Sequence, residues 1–299
     1  MFKTNFLQCI LTMKKLIITA DDYGMSVSIN SAIEQCISAG TVHSTCVMTN
    51  MLESRHAIQL KSRFPEISVG IHWTLTEGKP ILAAGKVPSL VNKHGYFYSA
   101  KEFRKRWLLG KIIRGDIRKE LLAQHQRFLE LAGVPAYWSV HENVHIWPTL
   151  FQFFTRVANE LHISTMRNNA RIMLPNAHTA FENKLGRPLN FLKNKIIAHF
   201  SSWARREGMS MSAGLINLDG YPLGNVSIEE AVRQLGYPKR EQPFELIIHP
   251  ATYLEPGLFG NLLDSRITEY RYFAQPEVLE RLGGLGIELV GFKSLSSNS

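Results

Sequence analysis

Two adjacent carboxylates, Asp21-Asp22, follow the short apolar run Leu16-Ile17-Ile18-Thr19-Ala20, and three histidines end later runs of the same kind. His72 ends Val69-Gly70-Ile71, His141 ends Trp138-Ser139-Val140 and His249 ends Leu246-Ile247-Ile248, while Arg167 closes Ile163 to Met166. Asp22, His72 and His141 offer one hard oxygen and two imidazole nitrogens, a donor set suited to Zn2+, Mn2+, Co2+ or Ni2+ and less comfortably to Mg2+. Three protein ligands leave a coordination position open. One divalent ion held that way lowers the pKa of water and polarises a carbonyl, which is what hydrolysis of an amide or ester needs near neutral pH. Asp21 would turn away from the metal and act as the base. His249, an imidazole that can carry a proton, would protonate the leaving amine. Arg167 would hold Asp21 ionised or bind the released carboxylate.

Each feature also has a plainer reading. Acidic pairs are common in turns, and a strand-end histidine more often completes a hydrogen-bond network than binds a metal. His43, His56, His94, His125, His162, His178 and His199 are read that way, and His145, four residues past His141, is assigned to the pocket wall.

The elements that must position these groups alternate. Apolar strands are expected at 16–20, 44–48, 67–71, 137–140, 163–167, 212–216, 245–248 and 287–291, with helical segments between most of them. Ile29, Ile33, Cys36 and Ile37 recur at helical spacing, and Gly40 stands where a left-handed residue ends the helix. About eight strands alternating with helices predict an α/β fold, a parallel sheet closed into a (β/α) barrel. In such a barrel all the C-terminal strand ends open at one mouth, so the ionisable strand-end residues would converge there.

Two stretches interrupt the alternation. Residues 80–119 carry Tyr96-Phe97-Tyr98 and then a basic run read as one helix with a solvated cationic face. Residues 175–208 place Leu189, Leu192, Ile196, Phe200 and Trp203 on one helical face. Both are expected as insertions at the mouth. Residues 1–12 are read as a loose extension or a misassigned start, and residues 13–299 as a single catalytic domain.

With 45% hydrophobic and 20% charged residues in 299, the chain can bury a large core, which excludes a disordered or fibrous protein. The net charge of +9 is concentrated, because Lys101, Arg104, Lys105, Arg106, Lys111, Arg114, Arg118 and Lys119 face only Glu102 and Asp116 within 101–119. That clustering argues against a nucleic-acid-binding protein, which needs basic and aromatic residues interleaved along the chain. It leaves contact with an anionic membrane surface as the alternative to a solvated helix. Cys9, Cys36 and Cys46 are odd in number and lack paired spacing, so they are read as reduced thiols of a cytoplasmic protein. A homo-oligomer is allowed.

Ile18-Thr19-Ala20-Asp21-Asp22-Tyr23-Gly24-Met25-Ser26, followed by Gly40 to Thr45 and Asn50, resembles the opening of the YdjC-like carbohydrate deacetylases, which include chitooligosaccharide deacetylases and hopanoid-associated relatives. Gly70 to Gly78, His141 to Pro148 and Glu245 to Pro250 resemble the family's later blocks in order and spacing, over about residues 13–293. The resemblance implies the irregular (β/α) barrel of polysaccharide deacetylases, a metal triad on Asp22, His72 and His141, and a base at Asp21. The substrate it implies is an N-acetylated sugar or glycoconjugate. The sequence departs at Ser139 and Asn143, where the family usually has Asp and His, and at Ala251, where many members have Gly. Another metal-dependent barrel enzyme, such as a lyase, isomerase or phosphoesterase, would require a phosphate-binding loop, and no Gly-rich loop of that kind is present.

Overall fold

A computed structural model describes residues 14–172, 186–217, 242–255 and 263–295. Its strands are β1 (Lys14–Tyr23), β2 (Ser44–Val47), β3 (Ser68–Trp73), β4 (Trp138–Val140), β5 (Leu215–Asn217), β6 (Phe244–Ile248) and β7 (Ile287–Leu289). The order is β4-β3-β2-β1-β6-β5, and every pairing is parallel. β7 pairs with the N-terminal end of β1 at Lys14–Leu16, below β2. Parallel strands covered by helices are buried on both faces, which is why β1 to β3 read as apolar runs rather than as alternating ones.

The expected strand at 163–167 is reduced to single bridges, and these close the barrel between β4 and β5. Trp138 N–H donates to Thr165 O and Arg167 N–H to Trp138 O, while Met166 N–H donates to Ser210 O and Leu215 N–H to Ala170 O. The strand expected at 212–216 accordingly starts only at Leu215.

The helices are α1 (Val27–Ser38), α2 (Ala57–Arg63), α3 (Ala100–Leu108), α4 (Arg114–Ala132), α5 (Pro148–Glu160), α6 (Gly186–Arg206), α7 (Leu263–Phe273) and α8 (Glu277–Gly284). α1 begins where Ser26 Oγ accepts from Ile29 N–H, buries Ile29, Ile33, Cys36 and Ile37, and is followed by Gly40 at φ 74°. The basic run is two helices rather than one. Gly110 at φ 68° turns the chain between α3 and α4, and Ser99 Oγ caps the first. α3 leans on the turn after β4 through Arg104 Nη2, which donates to Glu142 O at 3.0 Å, and this puts the first insertion at the mouth.

Within the second insertion the apolar face of α6 is only partly covered. Ile197, Ser201 and Ala204 are buried, Phe200 and Trp203 half-buried, and Leu192 and Ile196 exposed. The helix lies with its apolar stripe turned partly outward. The side chain of Leu189, residues 1–12 and His178 lie outside the described set.

Candidate metal centre

A regular strand would point consecutive side chains to opposite faces. Asp21 and Asp22 escape that rule because the register of β1 against β2 slips between Ala20 and Tyr23, and Asp22 adopts φ 70°, a left-handed conformation that aspartate tolerates better than most residues. β1 therefore runs on to Tyr23 through an irregularity instead of stopping at Ala20. Both carboxylates reach the same imidazole: His72 Nε2 lies 3.6 Å from Asp22 Oδ1 and 4.0 Å from Asp21 Oδ2.

β3 and β4 bring the two histidines together. His72 pairs with Ser139 in the ladder, and Ser139 Oγ meets His72 Nδ1 at 2.7 Å, which fixes the ring with Nε2 toward the carboxylates. His141 follows β4, and its Nδ1 lies 3.2 Å from Asp22 Oδ1. The chain then turns away through Glu142 and Asn143, both at positive φ. The two imidazoles meet edge to face at 5.4 Å.

The neighbouring carboxylates are held differently. Asp21 receives both terminal nitrogens of Arg167 at 2.7 Å each, and the Cys46 thiol donates to it at 3.1 Å. Arg167 is 2% exposed and also donates Nε to Glu245 Oε1 at 2.9 Å, so it is committed to anchoring Asp21 and has no face open to a product. His249 Nε2 stands 3.9 Å from Asp21 Oδ2 across the mouth. Asp22, by contrast, accepts from Arg266 Nη2 of α7 on Oδ2 at 2.6 Å and turns Oδ1 to the two histidines.

Electrostatics follow from this arrangement. Burial alone would raise both carboxyl pKa values, but Arg167 holds Asp21, and Arg266 with the two histidines holds Asp22, well below the usual carboxylate range. Burial pulls the His72 imidazole below its ordinary value, toward the neutral form that ligates metals. It would lower His141 too, but the hydrogen bond and charge of Asp22 outweigh it and hold His141 above its ordinary value. Burial raises Glu245, with Arg167 opposing.

The donor set fits a divalent cation. Asp22 Oδ1 and the imidazole nitrogens of His72 and His141 lie within 4.8 Å of one another. Ligand atoms about 2.0–2.2 Å from a common ion stand a little over about 3 Å apart. Asp21, Cys46 and His72 form a second group of similar spacing. It suits a cation less well, because burial first, and then Asp21, push the Cys46 thiol well above its ordinary pKa, and a protonated thiol donates rather than ligates.

The YdjC-like protein family model matches residues 15–283. The chain belongs to that family. A carbohydrate deacetylase of Clostridium beijerinckii is 33% identical over 284 residues, covering 94% of this chain and all of that protein. One of Geobacillus stearothermophilus is 36% identical over 172 residues, 57% of this chain and 67% of the relative. A third, from Danio rerio, is 32% identical over 154 residues, 51% of this chain and 49% of the relative, so that match spans about half of either protein. Among solved structures, a putative cellobiose-phosphate cleavage protein from Enterococcus faecalis superposes with a TM-score of 0.75 at 24% identity, covering 95% of this chain and 99% of that one. It shares the parallel-stranded fold.

In this YdjC-like chain the structure gathers all six residues singled out by sequence: Asp21, Asp22, His72, His141, Arg167 and His249. His145 stands apart, 1% exposed among Trp138, Phe151 and Phe154, with Nε2 against Asn169 Oδ1 at 3.1 Å. Burial pulls its pKa down to about 3. The departures from the family pattern are accommodated. Ser139 supplies the hydrogen bond to His72, and Asn143 accepts from Asn169, which in turn meets His145. Sequence reasoning missed Arg266, Cys46 and the partnering role of Glu245. Glu245 left a trace, as an acid inside the apolar run Phe244 to Ile248; Arg266 sits on a helix with no motif around it.

Proposed function

We propose that the protein is a metal-dependent carbohydrate deacetylase, hydrolysing the acetamido group of an N-acetylated sugar or glycoconjugate to acetate and a free amine. The observation that carries this reading is the opposite treatment of two adjacent carboxylates. Both hold an arginine, but Asp22 commits only Oδ2 to Arg266 and presents Oδ1 to two imidazoles at 3.6 and 3.2 Å, whereas Arg167 takes both oxygens of Asp21, with His249 3.9 Å away across the mouth. Family membership and the deacetylase relatives support the same chemistry.

Asp22, His72 and His141 would hold one divalent ion, which when bound polarises the acetyl carbonyl and lowers the pKa of water. Asp21, kept ionised by Arg167, accepts a proton from the attacking water through the lone pairs its two arginine bonds leave free. Water oxygen bonds to the carbonyl carbon, and the C–N bond then breaks. His249 gives a proton to the departing nitrogen, since an amine leaves only once protonated. Arg266 occupies the second oxygen of Asp22, which keeps Oδ1 as the donor directed at the ion.

The test is release of acetate from a panel of N-acetylated monosaccharides and oligosaccharides, with the protein loaded in turn with Mg2+, Zn2+, Mn2+, Co2+ and Ni2+. Acetate release that requires a metal and is lost on chelation is the expected result. No release from any member with any of these ions would contradict the reading.

A further inference from the structure

Two elements on the mouth side carry large apolar side chains in solvent, and cations alternate with them. Where α3 passes into α4, Leu108, Leu109 and Ile113 are 66%, 58% and 56% exposed. Lys101, Lys105, Lys111 and Arg114 belong to the same segment and have no acidic partner among the described residues; Arg114 lies over the Trp107 ring. The acids of this segment are already engaged, Glu102 with Arg106 and Asp116 with Ser89 and Lys119. On α6, Phe191, Leu192 and Ile196 are exposed, with Lys193 beside them and Lys195 over the Phe191 ring. The two elements hold one stretch of the rim: Arg104 of α3 donates to Glu142 O, the adjacent Asn143 accepts from Asn169, and Arg171, two residues on, is bound by Asn194 of α6.

Both elements belong to the rim. α3 rests on the turn that carries His141, and Asn194 of α6 binds both the N–H and the carbonyl of Arg171, just past the bridges that close the barrel. Exposed leucine, isoleucine and phenylalanine interleaved with lysine that has no acidic partner among the described residues is the composition of a surface that lies in a bilayer interface, apolar groups among the acyl chains and cations at the headgroups. A partner protein would be expected to bring carboxylates to such a surface, and a soluble polyanion would leave the apolar groups in water. Among the described residues no helix is long and apolar enough to cross a membrane, so the contact would be peripheral.

We propose that the α3–α4 turn and the outer face of α6 dock the barrel mouth onto an anionic lipid bilayer. None of its exposed side chains is a candidate metal ligand, and the inference does not depend on which bond the protein hydrolyses.

The experiment is co-sedimentation of the full chain with vesicles of phosphatidylglycerol and phosphatidylcholine in equal amounts, compared with phosphatidylcholine alone and with soluble polyglutamate. Binding to the mixed vesicles and not to the neutral ones is expected, weakening as about 1 M salt shortens the Debye length to about 3 Å. Lys105→Gln and Lys111→Gln should each lower the partition coefficient about fivefold. Leu108→Asp with Leu109→Asp should remove vesicle binding while the melting temperature and the turnover of a small soluble substrate stay unchanged, because both side chains are in solvent. Failure to bind the mixed vesicles, or equal binding by the leucine variant, would overturn the proposal. Polyglutamate binding as tight as vesicle binding would also overturn it and indicate a purely electrostatic partner.

Discussion

From β1 to β4 the barrel is a continuous parallel ladder, whereas from β4 round to β5 it closes through single bridges at Thr165, Met166, Ser210 and Arg171. The ladder supplies Asp21, Asp22, His72 and His141. The irregular arc and the elements beyond it supply Arg167, Glu245, His249 and Arg266. Candidate ligands thus come from strand ends on one side of the barrel, and the charges that set their protonation come from elsewhere: Arg167 from the single-bridge arc, Glu245 and His249 from β6 and its end, and Arg266 from α7. Substitutions of the candidate ligands Asp22, His72 and His141 on the ladder side should empty the site. Those on the other side should leave the site in place and change its charge or its proton transfer.

The largest effect is expected from His72→Ala or His141→Ala. Either leaves two protein donors, and the divalent ion should be lost on dialysis while the fold persists, as elemental analysis and circular dichroism together would show. Full occupancy in both variants would break the comparison.

Arg167→Met removes the only cation that Asp21 and Glu245 share among the described residues, leaving two buried carboxylates without their arginine. Breaking a buried pair of this kind costs about 3–5 kcal/mol, readable as a lower denaturant midpoint. An unchanged midpoint would mean that the arc does not carry the charge balance assigned to it.

His249→Ala sharpens the contrast chemically. An amide needs its leaving nitrogen protonated, whereas an aryl acetate expels a stable anion, so the loss should be about 100-fold or more on the amide and small on the ester. Equal losses would reassign His249 to positioning the acetyl group.

The smallest effect concerns His145. With a folded pKa of about 3 against about 6.5 when unfolded, its neutral burial contributes stability that is fully present above about pH 6.5 and is lost as the pH falls toward 3. The melting temperature should fall on acidification from pH 7 to about pH 4, and His145→Gln should flatten part of that slope. An unaltered slope would place the acid sensitivity elsewhere.

What was legible in the sequence follows the same division. Asp22, His72 and His141 could be read because each ends an apolar run and a parallel barrel gathers such ends. The strand at 163–167 was only half legible, because local composition records β-propensity and not whether a neighbour completes the ladder. The basic run reads as one helix until Gly110 takes a left-handed turn, and the stripe on α6 has helical spacing whichever way the helix rolls onto the barrel. Spacing alone therefore does not tell which part of that face is covered, and Leu192 and Ile196 lie in solvent. Arg266 was invisible, since its role comes from a contact with Asp22 across 244 residues of chain.

The most direct test sets Asp21→Asn beside Asp22→Asn, with bound metal and acetate release measured on the same preparations. Asp21→Asn should keep the metal and lose about 100- to 10,000-fold in kcat, because an amide cannot accept the proton of the attacking water, while Asp22→Asn should lose the metal. An emptied site in Asp21→Asn with full occupancy in Asp22→Asn would show that the two carboxylates hold the opposite roles.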